Sequence, residues 1–214
     1  MSESPVSNES PRPTTGGPEG EAVPDDALTA PLDRRLVALS RFLSRHLRHA
    51  PDRIGITLDH AGWTGIGPLL DAAAREGLPA TRADLARVVA GNDKRRFAVE
   101  GDRIRAQQGH SVPVDLGLEP LTPPPYLFHG TRPAALAAIR AEGLRPMTRH
   151  HVHLSADHET ARRVGARRGR PVVLTVRAGQ LSEDGAAFLR SGNGVWLTAH
   201  VPPQYLYLPG RHVG

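Results

Sequence analysis

Three arginine-bearing stretches and a group of histidines hold the side chains of this sequence that could do chemistry. Leu47-Arg48-His49 stands ahead of Ala50-Pro51, and Asn92-Asp93-Lys94-Arg95-Arg96-Phe97 sets three consecutive cations before a strand-forming run. Arg162-Arg163-Val164-Gly165-Ala166-Arg167-Arg168-Gly169-Arg170 is the densest cationic stretch. A guanidinium is a planar fork that meets phosphate oxygens two at a time, so phosphate handling is the chemistry these stretches suit. Each has a plainer explanation in isolation: a cation near a helix C-terminus is favoured by the dipole, and a basic turn is commonly solvated. His129-Gly130-Thr131 followed by Pro133 is a different pattern. A glycine that lets backbone approach a ligand, a hydroxyl, and a proline opening a helix suit dinucleotide or nicotinamide binding. His150, His151, His153 and His158 crowd together downstream, but no His-Glu-x-x-His, cysteine or evident carboxylate completes a ligand set, so no metal is expected.

The elements that must position these groups follow from periodicity. Leu36, Leu39, Leu43 and Leu47, with Val37 and Phe42, recur at helical spacing up to Pro51, which places Arg48 and His49 at a helix end. A turn at Asp59-His60-Ala61-Gly62-Trp63, a helix near 66–76, a helix capped by Thr81 and short strands around 97–99 and 103–105 come next. Helices followed by a small hairpin suggest a winged-helix lobe over 33–111. Five prolines between Val112 and Pro125 read as a linker. From 126 to 214 strands are predicted at 126–129, 152–155, 172–176, 194–197 and 205–208, with helices at 134–142 and 159–165. The fold class is therefore α+β, in two lobes.

Charge is divided along the chain. Residues 1–30 hold six carboxylates against Arg12 alone, while the remainder holds 26 Lys and Arg against 16 carboxylates, all but Lys94 of the basic ones being arginine. Residues 1–32, rich in Ser, Pro, Gly and acid, read as a disordered tail, and the basic remainder calls for a polyanionic partner. With no cysteine among 214 residues, disulfides, thiol nucleophiles and thiolate metal sites are excluded. No apolar run is long enough to span a bilayer and no signal peptide is recognisable, so a monomer in the cytoplasm is expected.

Read in order, the motifs resemble one family, the RNA 2′-phosphotransferases of tRNA splicing. The likeness runs from roughly Leu39 to Leu206 through Leu39-Ser40-Arg41-Phe42-Leu43-Ser44, Leu47-Arg48-His49-Ala50-Pro51, Gly62-Trp63, Lys94-Arg95-Arg96-Phe97 and Ile104-Arg105-Ala106-Gln107-Gln108-Gly109-His110-Ser111. It continues through His129-Gly130-Thr131, His151-Val152-His153-Leu154-Ser155, Val164-Gly165-Ala166-Arg167 and Gly194-Val195-Trp196-Leu197. Each motif is common, whereas the ordered set is specific. The resemblance implies an N-terminal winged-helix RNA-binding lobe and a C-terminal ADP-ribosyltransferase-like lobe. It implies catalytic roles for Arg48, His49, Arg96 and Arg167, with Arg168 an alternative to Arg167. It also implies NAD⁺ as co-substrate, bound by His129, Gly130, Thr131, His153 and Ser155. Val195 takes the place where protein-modifying relatives often carry glutamate, which argues against protein modification.

The reaction so implied has two steps. The RNA 2′-phosphate attacks the nicotinamide-bearing ribose carbon of NAD⁺, giving 2′-phospho-ADP-ribosyl RNA and nicotinamide. The neighbouring ribose 2″-hydroxyl then attacks phosphorus, leaving RNA with a 2′-hydroxyl and ADP-ribose 1″,2″-cyclic phosphate. A phosphate dianion needs positioning more than a base, and arginines suit the charge that builds on phosphoryl oxygens, so no metal is required. Two other readings fit the basic core: an ADP-ribosyltransferase acting on nucleic-acid phosphate ends, and a nucleic-acid-binding protein without activity.

Overall fold

The computed structural model describes residues 32–91, 95–166 and 169–208. Residues 1–31 of the expected acidic tail, Lys94 and both Arg167 and Arg168 lie outside the described residues, whereas Leu32, the last residue assigned to that tail, packs against the first apolar cluster.

The first half begins with α1 (Arg34–His46), opened by Asp33, whose carboxylate accepts from the Leu36 N–H at 2.8 Å. Leu36, Leu39 and Leu43 line its inner face and Leu47 caps it, all at no more than 1% exposure. Each such leucine stabilises the fold by about 1.5–3 kcal/mol through burial. β1 (Thr64–Gly65) leads into α2 (Ile66–Arg75), and α3 (Arg82–Ala90) starts from a capping box between Thr81 and Asp84. Asp84 also takes a two-pronged contact from Arg35 at 3.1 and 2.5 Å, which ties α3 to α1. β2 (Phe97–Glu100) and β3 (Arg103–Ala106) form an antiparallel hairpin, and β1 pairs with the other edge of β3. The helices and the sheet enclose one apolar cluster with Leu69, Leu85, Val88, Phe97 and Ile104 at its centre.

The second half holds two three-stranded antiparallel sheets around a second cluster that includes Leu127, Leu154, Leu174, Val176 and Phe188. One sheet is β4 (Leu127–Thr131), β6 (Val172–Val176) and β9 (Leu206–Tyr207), in the order β4-β6-β9. The other is β5 (Val152–Leu154), β7 (Phe188–Arg190) and β8 (Trp196–Thr198), in the order β5-β8-β7. Helices α4 (Leu136–Glu142), α5 (His158–Gly165) and α6 (Ala178–Glu183) complete it. The chain is thus mixed α and β with small antiparallel sheets. Among the described residues no helix is long and apolar enough to cross a membrane.

Local expectations differ from the structure in three places. The stretch 194–197 is strand only from Trp196, because Ser191 to Gly194 form the β7–β8 turn, with the Gly194 N–H donating to the Ser191 carbonyl at 2.8 Å. The stretch 205–208 is strand only at Leu206–Tyr207, after a short 3₁₀ turn at Pro203–Tyr205. The proline-rich stretch 112–125 is laid against both halves: the Asp115 N–H donates to the His60 carbonyl at 2.8 Å, and the Leu121 N–H to the Phe188 carbonyl at 2.8 Å.

Candidate active site

α1 ends at His46 and is capped by Leu47, so Arg48 and His49 occupy the turn beyond the helix. The His46 ring reaches the Ala50 carbonyl at 2.9 Å, which holds that turn closed. The pair is also clipped to the segment after β3. The Ser111 N–H donates to the Arg48 carbonyl at 2.9 Å, and the Ser111 hydroxyl lies 3.0 Å from His49 Nδ1. Burial, then the charges of Arg48 and Arg149, push the His49 pKa below that of a free imidazole. A lowered pKa favours the neutral form of the His49 ring.

Gly109 is where the two halves meet. Its φ of +87° is the left-handed region. A Cβ at that position would lie 3.8 Å from Arg48 Cδ, 3.8 Å from His153 Nε2 and 3.9 Å from Arg149 Nε. Arg48 comes from the first half, Arg149 and His153 from the second. His153 sits on β5 opposite Leu197 of β8. Its Nε2 is buried with no hydrogen-bond partner, and its Nδ1 is 3.5 Å from an Arg149 guanidinium nitrogen. Burial first, and Arg149 second, push its pKa down to about 3, so it stays neutral.

His129 joins the same place through the backbone. Its Nδ1–H donates to the His153 carbonyl at 3.0 Å, which fixes the tautomer and leaves Nε2 as an acceptor. Reciprocal bonds between Phe128 and Ser155, at 2.9 and 2.8 Å, stitch β4 to the end of β5. His129, His153 and Ser155 are accordingly brought together, all half-buried, while Thr131 ends β4 opposite Val172. Val195 follows on the β7–β8 turn, held by the Ser191 hydroxyl, which accepts from the Val195 N–H at 3.1 Å. Gly130 has a packing reason to be glycine: a Cβ there would overlap the Ala161 carbonyl and lie 2.8 Å from the Gly165 nitrogen. Its neighbour is helix α5, where the sequence alone suggested a ligand.

Arg96 is half-buried, and its carbonyl accepts from the Gln107 N–H at 2.9 Å, beside the segment that runs on to Gly109. Gln107 in turn packs its side chain against Gly192, a contact across the two halves. The expected catalytic role for Arg167 lies outside the described residues, one position after Ala166, the C-cap of α5. Among the described residues no group of three His, Asp or Glu could hold a metal.

Three residues of the site were missing from the sequence-based set. His110 is 3% exposed, its Nε2 is buried without a partner, and burial followed by the Arg48 charge pushes its pKa down to about 4. Arg149 carried no signal beyond adjacency to the histidine run. Ser111, like His110, belongs to the Ile104–Ser111 motif, but its bond to His49 is a tertiary contact. His110, His151 and His153 line a cleft of about 80 Å³, together with Leu189, Leu197 and the proline-rich strap residues Val114, Leu116 and Leu118.

Residues 34–200 match the family described as RNA 2′-phosphotransferase, Tpt1 / KptA family. The chain belongs to that family. The matched stretch includes both halves, the strap and every candidate site residue. A Streptomyces coelicolor protein named "Probable RNA 2′-phosphotransferase" is 64% identical over 178 residues, which is 83% of this chain and 98% of that protein. A protein of the same name from Streptomyces griseus is 59% identical over 187 residues, 83% of this chain and 99% of the relative. One from Agrobacterium fabrum is 55% identical over 171 residues, covering 79% and 92%.

Proposed function

We propose that this chain removes a 2′-phosphate from RNA by transferring it to NAD⁺. The carrying observation is the convergence at Gly109, where Arg48, Arg149 and neutral His153 approach one point from two halves of the chain. Cations there suit a phosphate, and a neutral imidazole with a partnerless nitrogen suits a ribose hydroxyl, so the residues fit both substrates. In this reading 33–111 is a winged-helix RNA-binding lobe and 126–214 an ADP-ribosyltransferase-like lobe joined by 112–125.

Arg48, Arg96 and Arg167 grip the 2′-phosphate and hold it in line with the ribose carbon that loses nicotinamide. His129, Gly130, Thr131, His153, Ser155 and Val195 form the NAD⁺ side, with the His129 ring fixed by its bond to the His153 carbonyl. The phosphate supplies the electron pair of the new bond and nicotinamide departs neutral. In the second step the ribose 2″-hydroxyl attacks phosphorus, the RNA 2′-oxygen leaves, and neutral His49 can take and return the proton that moves between them. Fixed guanidiniums stabilise the charge spread over the phosphoryl oxygens. The reading requires no metal, and places the protein as a cytoplasmic monomer.

The test is incubation of the full chain with a 2′-phosphorylated oligonucleotide and NAD⁺. Release of ADP-ribose 1″,2″-cyclic phosphate with 2′-hydroxyl RNA supports the proposal. Stable ADP-ribosylated RNA as the end product would support transfer to phosphate ends instead. Absence of NAD⁺ consumption with any phosphorylated nucleic acid would leave a binding protein.

A further inference from the structure

Trp63, Arg103 and Arg105 form one row on the sheet of the first half. Trp63 immediately precedes β1, and the register that pairs Thr64 with Ile104 and Gly65 with Arg103 sets it alongside Arg105. Both guanidiniums lie over the indole, with Cζ 4.7 Å from the ring centre for Arg105 and 5.2 Å for Arg103. The two arginines differ in what opposes their charge. Arg103 has Glu100 at 3.3 Å and Asp59 at 3.6 Å. Arg105 has no carboxylate within ion-pair distance among the described residues. Among the described residues its side chain makes one hydrogen bond, from Nη1 to the Ala61 carbonyl at 3.2 Å, and its Nε is buried without an acceptor.

Arg105 is half-buried, so a guanidinium with one hydrogen bond made keeps donors at its outer edge for an acceptor. The indole and the Ala61 carbonyl hold the guanidinium plane in a preset orientation, which lowers the ordering cost of meeting an acceptor. The local field favours an anion. The charge of Arg105 is felt at His110, where it adds to that of Arg48, and His110 lines the cleft next to Gly109. Arg105 therefore stands on the approach to the convergence point without belonging to it.

We propose that Arg105, braced by Trp63, holds a backbone phosphate of the RNA strand flanking the 2′-phosphate. This rests on RNA being the substrate. The site takes a phosphodiester through charge and a guanidinium edge and reads no base, so it adds affinity for longer RNA without sequence preference.

The experiment compares the full chain with Arg105→Ala, Arg105→Gln and Arg105→Lys, on a minimal 2′-phosphorylated dinucleotide and on a 2′-phosphorylated RNA of about ten nucleotides. Binding of each is measured from about 50 to about 300 mM salt, alongside KM and kcat with NAD⁺. Removing the charge is expected to weaken binding of the longer RNA about tenfold and to reduce its salt slope by about 0.7. The rise in KM should exceed any fall in kcat, and the dinucleotide should lose far less. Arg105→Lys should keep the salt slope while recovering part of the affinity. An unchanged slope in Arg105→Gln of native melting temperature overturns the proposal, as does an equal loss on both RNAs. Failure of the wild-type chain to turn over either RNA would overturn the phosphotransfer reading instead, and the salt slope of binding still reports on Arg105.

Discussion

Gly130 of β4 and Ala161 of α5 approach so closely that a methyl group on the glycine would overlap the Ala161 carbonyl oxygen. Gly165, one turn on, faces the same spot, where an added Cβ would meet the Gly130 carbonyl carbon and the Thr131 nitrogen at 3.2 Å. Gly130→Ala is expected to destabilise the protein by about 1–3 kcal/mol or more through overpacking, and Gly165→Ala by less. Urea unfolding of both variants measures this. An unshifted midpoint for Gly130→Ala would mean that α5 does not seat on β4 as described.

The Ser111 hydroxyl touches His49, while its N–H bonds the Arg48 carbonyl and survives substitution. Ser111→Ala should therefore cost at most about 1 kcal/mol of stability, yet lower kcat about tenfold by freeing the imidazole from its orientation. Ser111→Thr, which keeps the hydroxyl, should recover most of the rate. Comparable kcat for Ser111→Ala and wild type would show that His49 needs no such orientation.

Arg48 and Arg96 are assigned to the phosphate. Arg48→Ala and Arg96→Ala should each lower kcat/KM by a factor of about 100 or more, in the range of lost transition-state donors, while unfolding stays closer to wild type. Steady-state kinetics with 2′-phosphorylated RNA, paired with thermal unfolding, separates the two effects. Near-normal turnover in either variant removes that residue from the mechanism.

Acid sensitivity follows from the buried histidines. His110 has a folded pKa near 4 against an ordinary value of 6.5, so the unfolded chain binds a proton that the folded protein refuses across that window. The stability this group allows is fully present above pH 6.5 and falls as pH drops towards 4, by on the order of 3 kcal/mol. His153 acts in the same direction, down to about pH 3. Urea midpoints measured between pH 7.5 and pH 4.5 should fall less steeply in His110→Gln than in wild type. Parallel pH profiles for the two proteins would contradict the burial of a neutral imidazole.

Local signals made much of the fold legible. The leucine spacing of α1, the Thr81 cap of α3 and the apolar run of β6 are each written in neighbouring residues, and all three form as read. The helix α6 and the strand β7 were not legible. α6 buries only Ala178 and Leu181, too few to show a period, and β7 is a strand because Leu189 pairs with Leu197 across β8. At the site, ordered motifs marked Arg48, His49, His129 and His153, which the structure gathers around Gly109 and the β4–β5 junction. His110 stood inside a matching motif and Arg149 beside the histidine run, but neither was marked as a site group, because the burial of His110 and the approach of Arg149 to Gly109 are tertiary facts that leave no local trace.

The strap from Val112 to Pro125 has a consequence for how this chain can be divided. Val114, Leu116 and Leu118 wall the cleft that His110 and His153 share, while Leu121 bonds the β7 edge. A cut within it would separate the halves and remove one side of the chamber at once. Splitting the protein there would thus yield two fragments whose recombination must rebuild a wall as well as a joint. A natural fusion or circular permutant of this fold has its tolerable breakpoints elsewhere.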